Sequence, residues 1–273
     1  MKKRSLFAVF FSAAVICALL RLWQMLSFTE YETGFMKREN SAAYIAISAV
    51  LALLILAIPV FALFCKPNPK QDKSVSLPAT LSTLLLGGVG VFDVLTFAST
   101  PNDLPGFLRI IYIATGALCA VYFTAAGVRS VLYFPFSSKL AAIPPAFFTV
   151  RAATVFVAGS RQAVTSDTVF EVFIYCFAML LFLEVARAVN GAGSKNSTRK
   201  IAFFGIAVSL LAICYSLPKI ALALVYSSAL HDSVKGSVLA LLLGVYAAAL
   251  VFSRIDFNSP DKNNLGIYYA GKH

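Results

Sequence analysis

The chain has 273 residues, of which 59% are hydrophobic and only 13% are charged, and its formal net charge is +11. Soluble domains carry about 25% charged and about 45–50% apolar residues. A water-soluble fold of this length could not bury so much apolar surface, so the composition excludes an ordinary soluble protein. The basic excess lies in short segments between apolar runs, which indicates membrane orientation rather than a nucleic-acid-binding surface.

Long apolar runs set the predicted architecture. Five runs of at least 18 residues contain no Asp, Glu, Lys or Arg: 40–65, 74–92, 110–128, 201–218 and 236–253. At about 1.5 Å per residue, such runs approach or exceed the ~30 Å hydrocarbon core of a bilayer. With three further runs they predict an all-α, polytopic integral membrane helical bundle of about eight transmembrane helices. The predicted spans are 5–27, 42–65, 77–99, 106–128, 140–159, 168–189, 201–227 and 236–253.

Charged residues interrupt three of these spans. The first contains Arg21 and follows a basic start, so it resembles a secretory signal peptide. Because no convincing cleavage site follows, we interpret it as an uncleaved first helix. The fifth contains Arg151 and also Pro144-Pro145, which lack backbone donors and should bend or break the helix. The sixth contains Glu171 and a second glutamate.

The distribution of basic residues predicts the orientation. If the N-terminus is cytoplasmic, fifteen of the 23 Lys and Arg residues fall on the cytoplasmic side, as the positive-inside bias requires. Deleting the fifth span would move the basic segment 195–200 to the outside. We therefore predict one transmembrane domain over 1–253, a short cytoplasmic tail over 254–273, and both termini in the cytoplasm (N-in/C-in). The short loops favour a bacterial plasma membrane.

Ionisable residues inside the spans are the candidate binding residues. Six of them, on six different predicted helices, map to the outer half of the membrane with a formal sum of +2: Arg21, Asp93, Arg109, Arg151, Glu171 and Lys219. Each charge costs about 2.5–3.5 kcal/mol at the bilayer centre and therefore needs a partner, water or an interface. One hypothesis is an outward-facing polar pocket for a small anionic or zwitterionic solute. The alternative is a set of ion pairs that lock the helices together.

Two local patterns predict helix contacts. Small or polar residues recur every three positions on the third span, which indicates close helix packing or, less favoured, unwound backbone beside a site: Gly87, Gly90, Asp93 and Thr96. Glu184 and Arg187 lie three apart on the sixth span, so we predict a salt bridge between them at the inner interface.

Three functional classes stay open. They are a carrier or ligand-binding protein, a structural or accessory subunit whose buried charges lock helix packing, and a membrane enzyme acting on a lipid or envelope precursor. The chain has no serine nucleophile elbow, zinc-binding HExxH pair or phosphate-binding loop. Its five cysteines form no metal spacing, and its histidines are only His231 and His273. We predict no catalytic residues, metal or cofactor; the expected partners are the bilayer and a small anionic solute, and not nucleic acid.

The orientation can be tested with a reporter that folds only in the cytoplasm, fused in turn to each end of the chain. Eight crossings place both fusions on the same side, and both should be active. Opposite activities at the two ends would contradict the crossing number.

Overall fold

The protein is a bundle of α-helices in the computed structural model, which describes residues 3–29, 37, 41–63, 77–99, 104–132, 137–161, 165–193, 196–225 and 234–254. In chain order the described helices are α1 Lys3–Phe28, α2 Ser41–Leu63, α3 Leu77–Ser99, α4 Gly106–Leu132, α5 Ile143–Arg161, α6 Ser166–Val189, α7 Ser197–Val225 and α8 Val234–Arg254. This confirms the predicted all-α helical bundle, because each predicted span overlaps one of these helices.

Most of the helices are suited by length and composition to cross a bilayer. Seven of those described are long and apolar enough, and α8 contains a shorter apolar segment, Gly236–Phe252. The whole of α8 has 21 residues, which is about 31 Å at the helical rise. The number of crossings and the N-in/C-in orientation stay predictions. The predicted tail beyond Arg254 lies outside the described residues.

The helix α7 lies at the centre of the bundle. Its apolar span is 78% buried, whereas the other six spans are between 28% and 44% buried. It packs against α8, α6, α2 and α1. A helix that is apolar all round needs protein or lipid on every face, and here protein supplies most of that cover.

Six helices close into a ring. Each of α3, α4, α5, α6, α7 and α8 packs against the next, and α8 packs against α3. The helices α1 and α2 pack against each other and against α7. Side chains that join helices two places apart in the ring therefore cross its interior, and such contacts locate the candidate site described below.

The two prolines of the fifth span mark the start of a helix rather than a break within one. A short 3-10 turn, Ser138–Ala142, leads into α5 at Ile143. Pro144 and Pro145 therefore occupy the first turn of α5, where backbone N–H groups have no intrahelical acceptor and a missing donor costs little. The predicted disruption is present, but it falls at the beginning of the α-helix.

Glycines allow α3 and α4 to approach closely. A Cβ atom added at Gly87 would lie 2.5 Å from Thr124 Oγ1 and 2.9 Å from the Thr124 backbone nitrogen, and one at Gly90 would lie 3.4 Å from Ala120 Cβ. The spacing of small residues on α3 thus serves close helix packing. Gly88 faces open space, with no atom within 4 Å of an added Cβ.

Gly87→Ala should lower the free energy of unfolding by about 1–3 kcal/mol, because the added methyl group overpacks the α3–α4 interface. Gly88→Ala is the matched control and should be neutral or stabilising by up to about 1 kcal/mol, from helix propensity alone. Thermal unfolding of both variants in detergent measures the difference. Equal behaviour of the two variants would contradict the packing described for α3 and α4.

Candidate functional site

The six predicted binding residues lie toward one end of the bundle, which we call the polar end. At this end α1, α3, α5 and α7 finish and α2, α4, α6 and α8 begin. The close contacts of Gly87 with Thr124, of Gly159 with Thr168 and of Gly244 with Ala212 reflect this antiparallel arrangement of consecutive helices.

An ion pair crosses the interior of the ring at the polar end. The Arg151 guanidinium on α5 donates to the Asp93 carboxylate on α3 and to the Tyr112 hydroxyl on α4. The Tyr112 hydroxyl donates in turn to Asp93 Oδ2 at 2.5 Å. Three helices therefore meet through one buried guanidinium, whose residue is only 6% exposed. Charge-assisted hydrogen bonds of this kind are about twice as strong as neutral ones.

Tyr175 on α6 extends this group toward α8. Its ring lies 4.7 Å from the Arg151 guanidinium carbon, and its hydroxyl donates to Glu171 Oε1 at 3.3 Å. Glu171 Oε1 would lie 3.2 Å from a Cβ atom added at Gly236 on α8, so this carboxylate also crosses the interior of the ring. We call Asp93, Tyr112, Arg151, Glu171 and Tyr175 the ring site.

A second ionic group, which we call the side cluster, joins α1 to α6 and α7. Arg21 donates to Asp167 and Ser166, and to Gln24 at 2.6 Å. Lys219 Nζ lies 3.1 Å from the other carboxylate oxygen of Asp167 and 3.3 Å from the Tyr215 hydroxyl. Arg21 and Lys219 are 2% and 3% exposed, so one carboxylate bridges two buried cations.

Arg109 has a different role. Its guanidinium donates to the carbonyl oxygen of Ala98 at 2.6 Å. The last four carbonyls of a helix have no intrahelical partner, and a basic side chain nearby satisfies one of them. Arg109 therefore caps the end of α3, while the other five predicted binding residues enter the ring site or the side cluster.

Sequence reasoning missed Asp167, which is the carboxylate of the side cluster, and Tyr112 and Tyr175 of the ring site. Asp167 was excluded because the sixth span was predicted to begin at 168, whereas α6 begins at Ser166 after the N-cap Thr165. A threonine followed by an acidic residue is a helix-start signal that could have moved this boundary. Nothing in the sequence separates Tyr112 and Tyr175 from the other nine tyrosines among the 11 in the chain.

The observed grouping changes the charge balance of the site. The two groups together contain three cations and three carboxylates, so their formal charges cancel: Arg21, Arg151, Lys219, Asp93, Asp167 and Glu171. The ring site alone contains one cation and two carboxylates. The excess of +2 that favoured an anion belonged to a set that included Arg109 and left out Asp167.

Aromatic side chains fill the ring on the side of the site away from the polar end. Phe123 on α4, Phe182 on α6 and Tyr246 on α8 meet with ring centroids 5.4–5.8 Å apart. Phe148 on α5 stacks against Phe182 at 5.3 Å and against Tyr175 at 6.2 Å. We call these four residues, Phe123, Phe148, Phe182 and Tyr246, the aromatic layer; it lies directly against the ring site.

One donor of the ring site has no partner in the described part of the chain. The Nε atom of Arg151 is buried and makes no hydrogen bond with the described residues, although the rest of the guanidinium is paired. A buried donor without an acceptor costs about 1–3 kcal/mol, so a water molecule or a solute oxygen at this position would be stabilised.

The opposite end of the bundle contains the predicted salt bridge. Arg187 lies 3.1 Å from Glu184, and this confirms the predicted pair. Lys200 at 3.6 Å and the Ser197 hydroxyl at 3.3 Å also contact the Glu184 carboxylate. Among the described residues no three His, Cys, Asp or Glu side chains lie together as metal ligands would, and the described cysteines are free thiols.

Comparisons with protein-family models, with curated proteins and with solved structures give no match for this chain.

Asp167→Asn should destabilise the protein by about 3–5 kcal/mol, because it leaves two buried cations without their carboxylate. Glu184→Gln is the matched control: its partners Arg187 and Lys200 are half exposed, at 53% and 46% of their side chains, and can turn toward solvent. Its loss should therefore be smaller. Denaturant titration in detergent measures both, and equal losses would contradict the difference in burial.

Proposed function

We propose that this multi-pass helical membrane protein is a carrier or solute-binding protein, and that its ring site takes a small zwitterionic solute. The observation that supports this most directly is the Asp93–Arg151 ion pair across the interior of the ring. It offers both signs of charge on different helices, next to aromatic rings and an unpaired donor.

A zwitterion suits this chemistry better than a plain anion. Its anionic group can take the place of Asp93 on Arg151, where Nε still lacks a partner. Its cationic group can pair with Asp93 or Glu171 and lie over the Tyr175 ring. Because such a solute exchanges one opposite pair for another, no net charge is added to the buried site.

The position of the aromatic layer supports access from the polar end. The aromatic layer fills the ring on the side of the site away from the polar end. Asp93 and Glu171 of the ring site, in contrast, lie near the polar-end termini of α3 and α6. With the predicted N-in orientation, the polar end faces the outside. Transport would then require the four rings of the aromatic layer to separate, so that the solute could pass toward the cytoplasm.

The side cluster supports a second candidate function, that of a structural or accessory subunit. The Arg21 guanidinium donates hydrogen bonds to Gln24, Ser166 and Asp167. Its central carbon lies 4.9 Å from the centroid of the Phe170 ring. Such a closed arrangement fixes α1 against α6 and α7. If the Asp93–Arg151 pair has the same role, neutralising both residues together would change stability alone.

The proposal is tested by thermal unfolding of the purified protein in detergent with glycine, β-alanine, γ-aminobutyrate and glycine betaine as zwitterionic probes. Acetate and tetramethylammonium are the singly charged controls. At 100 times its dissociation constant, a bound solute stabilises the folded state by about 2.7 kcal/mol. We expect at least one zwitterion to raise the unfolding temperature more than acetate and tetramethylammonium do.

The same shift should disappear in Asp93→Asn and in Arg151→Gln and persist in Arg187→Gln, which removes a paired arginine at the opposite end. No shift with any zwitterion in the wild-type protein, or a shift that survives both ring-site substitutions, would favour the structural role.

A further inference from the structure

Unpartnered buried hydroxyls are concentrated at the interface between α7 and α8. The described residues contain four buried side-chain polar atoms without a hydrogen-bond partner, and three of them are serine hydroxyls: Ser209 and Ser216 on α7, and Ser237 on α8. All three serines are 0% exposed. A buried hydroxyl normally has a partner. A bound guest, that is an ion or small molecule between these helices, would explain why three unpartnered hydroxyls lie at one interface.

The packing register brings two of these serines to the same level. A Cβ atom at Gly244 would meet Ala212, and one at Gly205 would meet Val251, so α7 and α8 run antiparallel with these positions opposite each other. Continued toward the polar end, this register places Ser216 and Ser237 within about one helical turn of the same level. In this register Lys219 falls level with Ser237, and Ser209 lies about two turns away from Ser216.

The same level contains the beginning of α8. The first four N–H groups of a helix have no intrahelical acceptor and carry a partial positive charge, and Gly236 and Ser237 lie within this turn. Glu171 already places a carboxylate oxygen beside Gly236. A carboxylate oxygen therefore already lies beside the first turn of α8.

The properties of the guest follow from these surroundings. Serine hydroxyls and helix N–H groups can all donate, and Lys219 lies at the same level, so a cation is disfavoured and an anion is favoured. The two helix backbones approach closely because the facing positions are occupied by small residues: Gly205, Ser209, Ala212 and Ser216 on α7, and Ser237, Ala240, Gly244 and Ala247 on α8. Such close packing excludes a polyatomic ion and favours an ion of a single atom.

We propose that Ser216, Ser237 and the first turn of α8 form a chloride site, and that chloride displaces the Glu171 carboxylate from this turn. The displaced carboxylate remains tethered beside Tyr175, where it can pair with a cationic group in the ring site. Chloride would then strengthen binding of a zwitterion. This coupling rests on the proposed function of the ring site, whereas the chloride site itself does not.

Chloride binding is tested first, without any solute. Thermal unfolding is measured against sodium chloride, with sodium gluconate keeping the ionic strength constant and sodium sulfate as a polyatomic control. We expect a saturable rise of the unfolding temperature with chloride alone. Ser216→Ala and Ser237→Ala should each weaken the apparent chloride affinity about tenfold or more, because each removes a hydrogen bond to a charged group.

Two further variants test the location of the chloride site and the direction in which its affinity should change. Ser209→Ala removes an equally buried hydroxyl two turns away and should leave the chloride dependence unchanged. Glu171→Gln removes the competing negative charge and should increase the chloride affinity. An equal rise with gluconate or sulfate, an unchanged response in both Ser216→Ala and Ser237→Ala, or a weaker response in Glu171→Gln would overturn the site.

The coupling is tested separately, by measuring the zwitterion-induced shift in chloride and in gluconate. A larger shift in chloride for the wild-type protein, but not for Ser237→Ala, is the expected result. A chloride response with no zwitterion response would reject the function proposed for the ring site and leave the chloride site standing. A zwitterion response that is independent of chloride would reject the coupling alone.

Discussion

Charged side chains inside an apolar bundle have no bulk water to solvate them, and this constraint organises the polar end of the protein. Each ionised group must find an opposite charge or a hydrogen-bond partner on another helix. Arg151 reaches from α5 to Asp93 on α3, and Arg21 reaches from α1 to Asp167 on α6. The pairs therefore join helices that are distant in sequence, and they determine which helix faces lie toward the interior of the ring.

The ring and its filling depend on this pairing. The interior is polar where Asp93 and Arg151 meet, and aromatic where Phe123 and Phe182 meet. Packed aromatic rings exclude water, and a lower local dielectric strengthens the electrostatic interactions beside them. In the solute-binding function that we propose, a polar site directly against such a layer would discriminate between solutes by charge, and a change in the layer would alter the access of the solute to one side of the membrane.

Helix α7 connects the side cluster to the rest of the bundle. One of its faces contacts α1 and α2, another contributes Lys219 to the side cluster, and a third packs small residues against α8. A displacement of α7 would therefore change the side cluster and the α7–α8 interface at the same time. This coupling follows from close packing, because tightly packed small residues leave little room for the two helices to move independently.

The sequence by itself determined the class of the protein, the eight helices and the residues that are expensive to bury, because apolar run length and charge are properties of the chain that need no partner. It also predicted the Glu184–Arg187 pair, since both residues lie on one helix at a spacing that brings them together. Only the tertiary structure decided that Arg109 caps α3, that Asp167 belongs to the side cluster, and that Tyr112 and Tyr175 line the ring site. Those contacts join different helices, and the order in which the helices close into a ring is set by side-chain packing across the whole bundle rather than by any local pattern.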